Sequence, residues 1–319
     1  MKKLNKRILT LGDLMVDEYQ RGKANRISQE APIPIIEISY KEYNLGGSGN
    51  VVANLVSLGG IVSAVGIIGQ DVNGQWISQT LRRMGVNQEG IIEDNNRQTT
   101  TKTRIIASHQ QVLRIDRETR HEITEYQEAK LLIYIKKHIK EWDGIIISDY
   151  NKGLLTRNLL SGVINEAKAH NVPVFVDPKG KDFSKYKGAN FLTPNLQEAL
   201  AAKLNKGEKD FEKIGFNMIK ELELDGLIIT LGADGMCIFS KLGCRDIVPT
   251  VVKNVHDIAG AGDTVVATLA LCLIAGYNLK EAAIFANIAA GIVVGKPGTA
   301  TISADELSEF FNKNKNLKG

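Results

Sequence analysis

Cysteine is scarce in this 319-residue chain, and its three copies, Cys237, Cys244 and Cys272, form no CxxC pair. An odd set of dispersed thiols suits a reducing compartment, so a cytoplasmic location is expected. Cys272 sits in the apolar run VVATLALCLIAG, where a small buried hydrophobe is the expected role. His109, His121, His138, His170 and His256 are scattered, and none stands at metal-binding spacing from a cysteine, so no zinc motif is present. Charge of one sign is lacking too. Forty Lys and Arg face 36 Asp and Glu, giving +4, with local concentrations only in MKKLNKR and NKNKNLKG, which read as frayed ends. No basic block is interleaved with aromatics, so a nucleic-acid partner is not expected. No uninterrupted apolar run of about 18 residues occurs, so neither is a membrane span. The early stretch ILTLGDLMVD is interrupted by Asp13 too soon to act as a signal peptide.

What is present is the composition of an ordinary globular protein, 43% hydrophobic and 24% charged, on a chain long enough for a large core. RILTLGDLMVD reads as a buried strand ending in a turn, with Asp13 and Asp17 on the loop beyond it. NVVANLVSLGG has helical spacing, and IVSAVGIIG reads as the next strand. From DGIIISDY onward a strand–helix rhythm repeats, with a helix expected from about Leu154 to His170, then VPVFVDP, ANFLTPN, DGLIITLG and GMCIFS as strands. Strands this apolar are buried on both faces, which implies parallel pairing with helices on both sides. Asp13, Asp149, Asp177, Thr193 and Thr230 end such strands and should meet at one sheet edge, where open α/β folds bind ligands. Two segments break the rhythm. Residues 18–45, with two prolines and short alternation, and 99–116, rich in β-branched residues, read as an accessory β-sheet.

The strongest chemical signal is DIAGAGDTVVATLALCLIAG, residues 257 to 276. Gly260, Ala261 and Gly262 open a helix with almost no side chains, exposing backbone N–H groups that can hold an anion. Asp263 follows directly. In phosphoryl transfer those amides stabilise the charge on the transferred group while Asp263 accepts a hydroxyl proton. The helix start is expected to keep its carboxylate ionised. An aspartate cap after a flexible turn is the competing structural explanation. GAGD lacks the Lys-Ser/Thr ending of a Walker loop.

In NLGGSGNVVANLVSLGG, Gly46, Gly47 and Gly49 permit close backbone approach, and Asn50 offers donors and acceptors to hydroxyls. Its spacing is not the dinucleotide fingerprint. Asp13 and Asp17 suit polyol hydroxyls, and no third ligand stands nearby to make a metal site. Asn195 and Glu198 stand three apart and suit a hydrated Mg²⁺ bridging nucleotide phosphates, or equally a helix capping box. TLGADG, with Thr230, Gly232 and Gly235, is a candidate turn beside a nucleotide. Arg104, Arg114, Lys152 and Lys179 together point to a phosphorylated substrate, because a dianion needs charged donors.

GGSGNVVANLVSLGG near one end and DIAGAGDTVVA near the other, in this order, resemble the ribokinase-like, or PfkB, carbohydrate kinases across nearly the whole chain. The resemblance implies an α/β fold, an αβα sandwich covered by a small β-sheet lid, here 18–45 and 99–116. It also implies ATP and Mg²⁺ as cofactors, and because small exposed sheets readily cover one another, a homodimer formed through the lid is expected. GDLMVDEY, NRISQEAPIPI, SDYNKG and VDPKGKDFSKYKGANFLTPNLQE are similar to segments of the family's bacterial heptose 7-phosphate kinases, which serve lipopolysaccharide core synthesis.

Carried over residue by residue, Asp263 looks like the base and Gly260, Ala261 and Gly262 like the anion hole. Asn195 and Glu198 look like the Mg²⁺-organising pair. Asp13, Asp17, Gly46, Gly47 and Asn50 would contact the sugar. Arg104, Arg114, Lys152 and Lys179 are the candidates for its phosphate, and Thr230, Gly232, Gly235 and Asn287 for the nucleotide side. Ala259 stands where relatives often carry threonine before the first glycine. Such kinases are often joined to a nucleotidyltransferase domain marked by an HxGH motif, and this sequence has no such motif, so that domain is not expected. The competing functions are the same chemistry on another sugar or sugar phosphate, a non-catalytic nucleotide or sugar sensor, and a dinucleotide oxidoreductase. The intact Asp263 argues against the sensor, and the glycine spacing against the oxidoreductase.

Overall fold

The computed structural model describes residues 2–108, 110–205, 207–243, 245–250 and 257–313. His109, Cys244, His256 and most of the C-terminal lysine-rich segment lie outside the described residues. The chain opens with β1 (Arg7–Gly12) and a long hairpin, β2 (Leu14–Ile27) and β3 (Pro34–Gly47), leading into α1 (Ser48–Ser57). Then come β4 (Ile61–Gly69), α2 (Val72–Arg83), β5 (Asn87–Asp94) and a second hairpin, β6 (Thr100–Ala107) and β7 (Gln110–Arg117). The alternating region holds α3 (Glu125–His138), β8 (Gly144–Ser148), α4 (Arg157–Ala169), β9 (Val174–Asp177), β10 (Phe191–Leu192), α5 (Leu196–Ala201) and α6 (Phe211–Leu222). It closes with β11 (Gly226–Thr230), β12 (Met236–Ser240), β13 (Arg245–Val248), α7 (Ala261–Ile274), α8 (Leu279–Val294) and α9 (Ala304–Lys313).

The main sheet has the order β13-β12-β11-β10-β9-β8-β1-β4-β5, parallel from β5 to β11 and antiparallel at the β12 and β13 edge. Strand side chains alternate between faces, so each strand feeds two cores. On β8, Ile145 and Ile147 join Leu9 and Leu11 under α3, α4 and α6, whereas Ile146 joins Ile8 under α1, α7 and α8. This explains the unbroken apolar runs. Helix α7 lies in the second core and is apolar on almost every side, with Cys272 wholly buried. Among the described residues, no helix is long and apolar enough to cross a membrane.

The two segments outside the rhythm form a separate sheet, β3-β2-β6-β7. Strand β2 pairs antiparallel with β3 and parallel with β6, and β6 pairs antiparallel with β7. The roots of β2 and β3 are buried against the main body and their tips are exposed. Two expectations need correction here. No loop separates β1 from β2, so Asp17 stands on a strand of the small sheet, in register with Asn44 and Lys102. Helix α4 begins at Arg157, because the Thr156 hydroxyl caps it by accepting from Leu159 N–H, while Leu154 and Leu155 are buried ahead of the helix.

Candidate active site

Asp13, Asp149, Asp177, Thr193 and Thr230 gather where the parallel strands end, as the strand ends implied. Helices α1 and α7 begin at the same place. Each is preceded by a glycine in the left-handed region, Gly47 at φ 56° and Gly260 at φ 82°. A Cβ on Gly260 would lie 2.4 Å from Asn50 Nδ2, so glycine alone lets the two helix starts meet this closely. Asn50 and Asp263 are each the third residue of their helix. Asn50 Nδ2 donates to Asp263 Oδ2 at 2.8 Å, and the Tyr150 hydroxyl donates to Oδ1 at 2.7 Å.

Asp263 is 3% exposed. Burial pushes its carboxyl up to about 6, against the pull of the Tyr150 and Asn50 hydrogen bonds. Desolvation brings the titration closer to neutrality, with the ionised form still predominant above about pH 6. Ala261 N–H donates to the Ile258 carbonyl at 3.3 Å, so it is already engaged, whereas Gly262 sits open beside Asp177. Desolvation, then the charges of Asp263 and Glu198, hold the Asp177 carboxyl well above the usual range.

Asp13 is buried and accepts from Tyr150 N–H at 2.9 Å and Lys152 N–H at 3.2 Å, which shapes the SDYNKG loop. Burial and the nearby Asp149 raise its carboxyl to about 6. Asp149 is itself satisfied by Lys185 Nζ at 2.5 Å, Tyr186 OH at 2.6 Å and Asn151 N–H at 2.6 Å. The small sheet contributes Asp17, paired with Arg104, and Lys102 beside it. A Cβ on Gly46 would strike Asp17 Oδ2 at 2.5 Å.

Lys102 and Tyr150 are two site residues that sequence reasoning missed. Lys102 Nζ stands 5.2 Å from the centre of the Tyr150 ring and has no carboxylate in ion-pair contact among the described residues. Its pKa is drawn down by burial, and by Lys152 and Arg104, while Asp17 opposes. The available signal was the register of a β-hairpin, which places alternate residues of TTTKTR on one face.

The other basic candidates are spoken for. Lys152 pairs with Glu118, Lys179 with Glu198 at 2.6 Å, and Arg114 with Asp116 at 2.9 Å on the exposed strand β7, across from Arg104. Asn195 and Glu198 form a reciprocal capping box at the start of α5, with bonds of 2.9 and 3.0 Å. Thr230 N–H donates to Pro194 O at 3.0 Å and Thr230 bridges to Asn195; Gly232 and Gly235 shape the following turn at φ 63° and 94°. Asn287 on α8 donates to Pro249 O at 2.8 Å. Among the described residues, no group of three or more His, Cys, Asp or Glu is placed to hold a metal ion.

The pattern described as "pfkB family carbohydrate kinase" matches residues 5–306. "Bifunctional protein HldE" of a Nitratiruptor species is 47% identical over 306 residues, which is 95% of this chain and 64% of that protein. The protein of the same name from Sulfurimonas denitrificans is 45% identical over 312 residues, 97% of this chain and 65% of its own length. The chain thus spans just under two thirds of these relatives. Among solved structures, a ribokinase of Arabidopsis thaliana complexed with ribose and ATP superposes with a TM-score of 0.74 at 19% identity, covering 99% of each chain. Phosphofructokinase-2 of Escherichia coli in complex with potassium gives 0.79 at 18% identity, over 97% of this chain and 99% of that one. These likenesses identify the fold as a ribokinase-like α/β sandwich.

Replacing Gly260 by alanine forces a side chain into the left-handed region and onto the Asn50 amide. The expected result is a stability loss of about 1–3 kcal/mol in urea denaturation, with catalytic turnover falling more than substrate affinity. An unchanged midpoint and turnover would show that the two helix starts are not held this tightly.

Proposed function

The chain belongs to the pfkB family of carbohydrate kinases, and on that premise we propose that it transfers the γ-phosphoryl group of ATP to O1 of D-glycero-β-D-manno-heptose 7-phosphate, giving the 1,7-bisphosphate for lipopolysaccharide core heptose synthesis. The observation that carries the reading is the buried Asp263 carboxylate, oriented by Asn50 and Tyr150 at the meeting of two helix starts. Asp263 accepts the proton of the anomeric hydroxyl as its oxygen attacks phosphorus in line, and a carboxyl titrating at about 6 is basic enough to do so near neutrality. The α7 start, chiefly at Gly262, supplies main-chain charge stabilisation to the transferred group.

Asp13, Asp17, Gly46, Gly47 and Asn50 form the sugar side. Lys102 and Arg104 are the cations best placed for a distal phosphate, with Lys152 close by and Arg114 and Lys179 further down the order because their side chains are far more exposed. The sequence segments similar to heptose 7-phosphate kinases provide this wall: Asp13 and Asp17 come from GDLMVDEY, Tyr150 and Lys152 from SDYNKG.

Thr230, Gly232, Gly235 and Asn287 form the nucleotide flank beside β11 and α8. Mg²⁺ would be carried mainly by phosphate oxygens and water, with Asn195 and Glu198 organising that water. When bound, the ion supplies neutralisation of phosphate charge. The small sheet acts as a lid whose closure excludes water. It also exposes Tyr40 and Tyr43 on β3 and Leu113 and Ile115 on β7, which supports a homodimer formed through it.

Asp263→Asn is expected to leave ATP binding nearly intact and cut kcat by at least ~10², and near-normal turnover would exclude the base role. Wild-type kcat/KM for the sugar should fall as pH drops through about 6, where Asp263 and Asp13 both take up protons. The carboxylate forms predominate above that pH and are lost below it, so a profile flat from neutrality down to about pH 5 would contradict the assignment. Lys102→Gln should raise KM for the heptose 7-phosphate about tenfold or more while sparing KM for ATP. A phosphosugar panel including fructose 1-phosphate and tagatose 6-phosphate should show strong heptose preference, and equal use of all would favour a broader kinase. Light scattering should give a dimer mass that Leu113→Glu lowers, and a wild-type mass that stays monomeric at every concentration would refute the lid contact.

A further inference from the structure

The carboxylate at the site is held by an amide that is itself held. Asn50 and Asn54 lie one turn apart on α1, and both are buried. Asn54 Nδ2 donates to the Asn50 backbone carbonyl at 2.9 Å and to Asn50 Oδ1 at 3.3 Å. Thr264, next to Asp263 on α7, places its hydroxyl 3.1 Å from Asn54 Oδ1 and 3.1 Å from the Gly260 carbonyl.

A primary amide has two ends of nearly equal shape and opposite hydrogen-bonding role. An ionised Asp263 accepts only and so draws the Asn50 NH₂, but a protonated Asp263 could donate to the amide oxygen, and Asn50 by itself does nothing to prevent that reversal. A backbone carbonyl removes the ambiguity, because it only accepts. It draws the NH₂ of Asn54 toward itself, and that NH₂ then draws Oδ1 of Asn50. The remaining end of Asn50, its Nδ2, is thereby aimed at Asp263 Oδ2. The far end of Asn54 is matched by the Thr264 hydroxyl. Reversing Asn50 would set oxygen against oxygen at the ionised carboxylate, and reversing Asn54 would set its oxygen against the Asn50 carbonyl, and each buried mismatch is costly.

We propose that Asn54 and Thr264 are positioning residues, which lock the Asn50 amide so that it donates to Asp263 Oδ2 and leaves the proton-accepting side of the carboxylate facing the sugar. This deepens the kinase reading and rests on it for the sugar's place, though the lock itself can be tested without turnover. The other polar groups that face Asp263 are Tyr150 after β8, Asp17 on β2, Lys102 on β6 and Asp177 at the end of β9, and every variant below leaves them in place.

The test follows the Asp263 carboxyl carbon by NMR in protein labelled with ¹³C-aspartate, its signal assigned by its loss in Asp263→Asn. The acid limb of kcat/KM is measured in parallel. Asn54→Leu should move the Asp263 titration up by about one pH unit, because a donor to the charged form is no longer directed at it, while KM for ATP stays within about twofold. Thr264→Val should move it in the same direction, and Thr264→Ser, which restores the hydroxyl, should bring it back. In an Asn50→Ala background, Asn54→Leu should add no further shift. If Asn54→Leu fails to fold, the Thr264→Val and Thr264→Ser pair decides the matter alone. An unmoved titration in Asn54→Leu or Thr264→Val, or an equal shift with Asn50 already removed, overturns the proposal. A wild-type protein that shows the titration but transfers no phosphoryl group would overturn the kinase reading and leave the lock standing.

Discussion

The site is organised by one costly act, the burial of the Asp263 carboxylate among other acids. A carboxylate removed from water must be satisfied by donors or take up a proton. Here two donors, Asn50 and Tyr150, balance desolvation so that the group titrates at about 6. That balance requires α1 and α7 to start within hydrogen-bond reach of one another, and the lack of a side chain at Gly260 is what permits it. The apolar sides of α7 serve the same end, because a helix packed on nearly every face leaves its first turn little freedom to shift.

The surrounding charges extend this logic. Asp13, Asp17, Asp149 and Asp177 crowd the same sheet edge, and each is dealt with differently. Asp149 takes Lys185 and Tyr186, Asp17 takes Arg104, and Asp13 takes two backbone amides of the loop that carries Tyr150. Among the described residues Asp177 has only the Thr193 hydroxyl at 3.3 Å, and burial holds its carboxyl well above the usual range. A pocket built in this way repels bare anions unless cations accompany them. Those cations arrive on the small sheet, as Lys102 and Arg104, and on the loop after β8, as Lys152. The position of the small sheet therefore sets the electrostatic character of this edge.

Much of this architecture is written in local patterns. Runs such as GIIIS and GLIIT can only be strands buried on both faces, and their polar ends mark the edge where ligands bind. GAGD before a long apolar helix announces an anion-friendly start with an acid beside it, and the two irregular segments declare themselves as a separate sheet by failing the strand–helix rhythm. For Asn195 and Glu198 the sequence left capping and metal organisation equally open, and in the folded chain the capping box is formed.

Other features exist only after folding, because they depend on which groups share a dielectric and a register. Asp17 reads as a loop residue until β2 is seen to start at Leu14, and Lys102 carries no local mark until pairing with β2 sets it beside Asp17. Tyr150 shows no sign of touching an acid 113 positions away. The helix start alone favours an ionised Asp263, and only the assembled core adds the desolvation that lifts its titration to about 6. Periodicity and glycine placement are short-range properties, so the chain's order of residues decides them by itself. Burial, strand register and the meeting of two distant helix starts are long-range, and only the tertiary structure decides those.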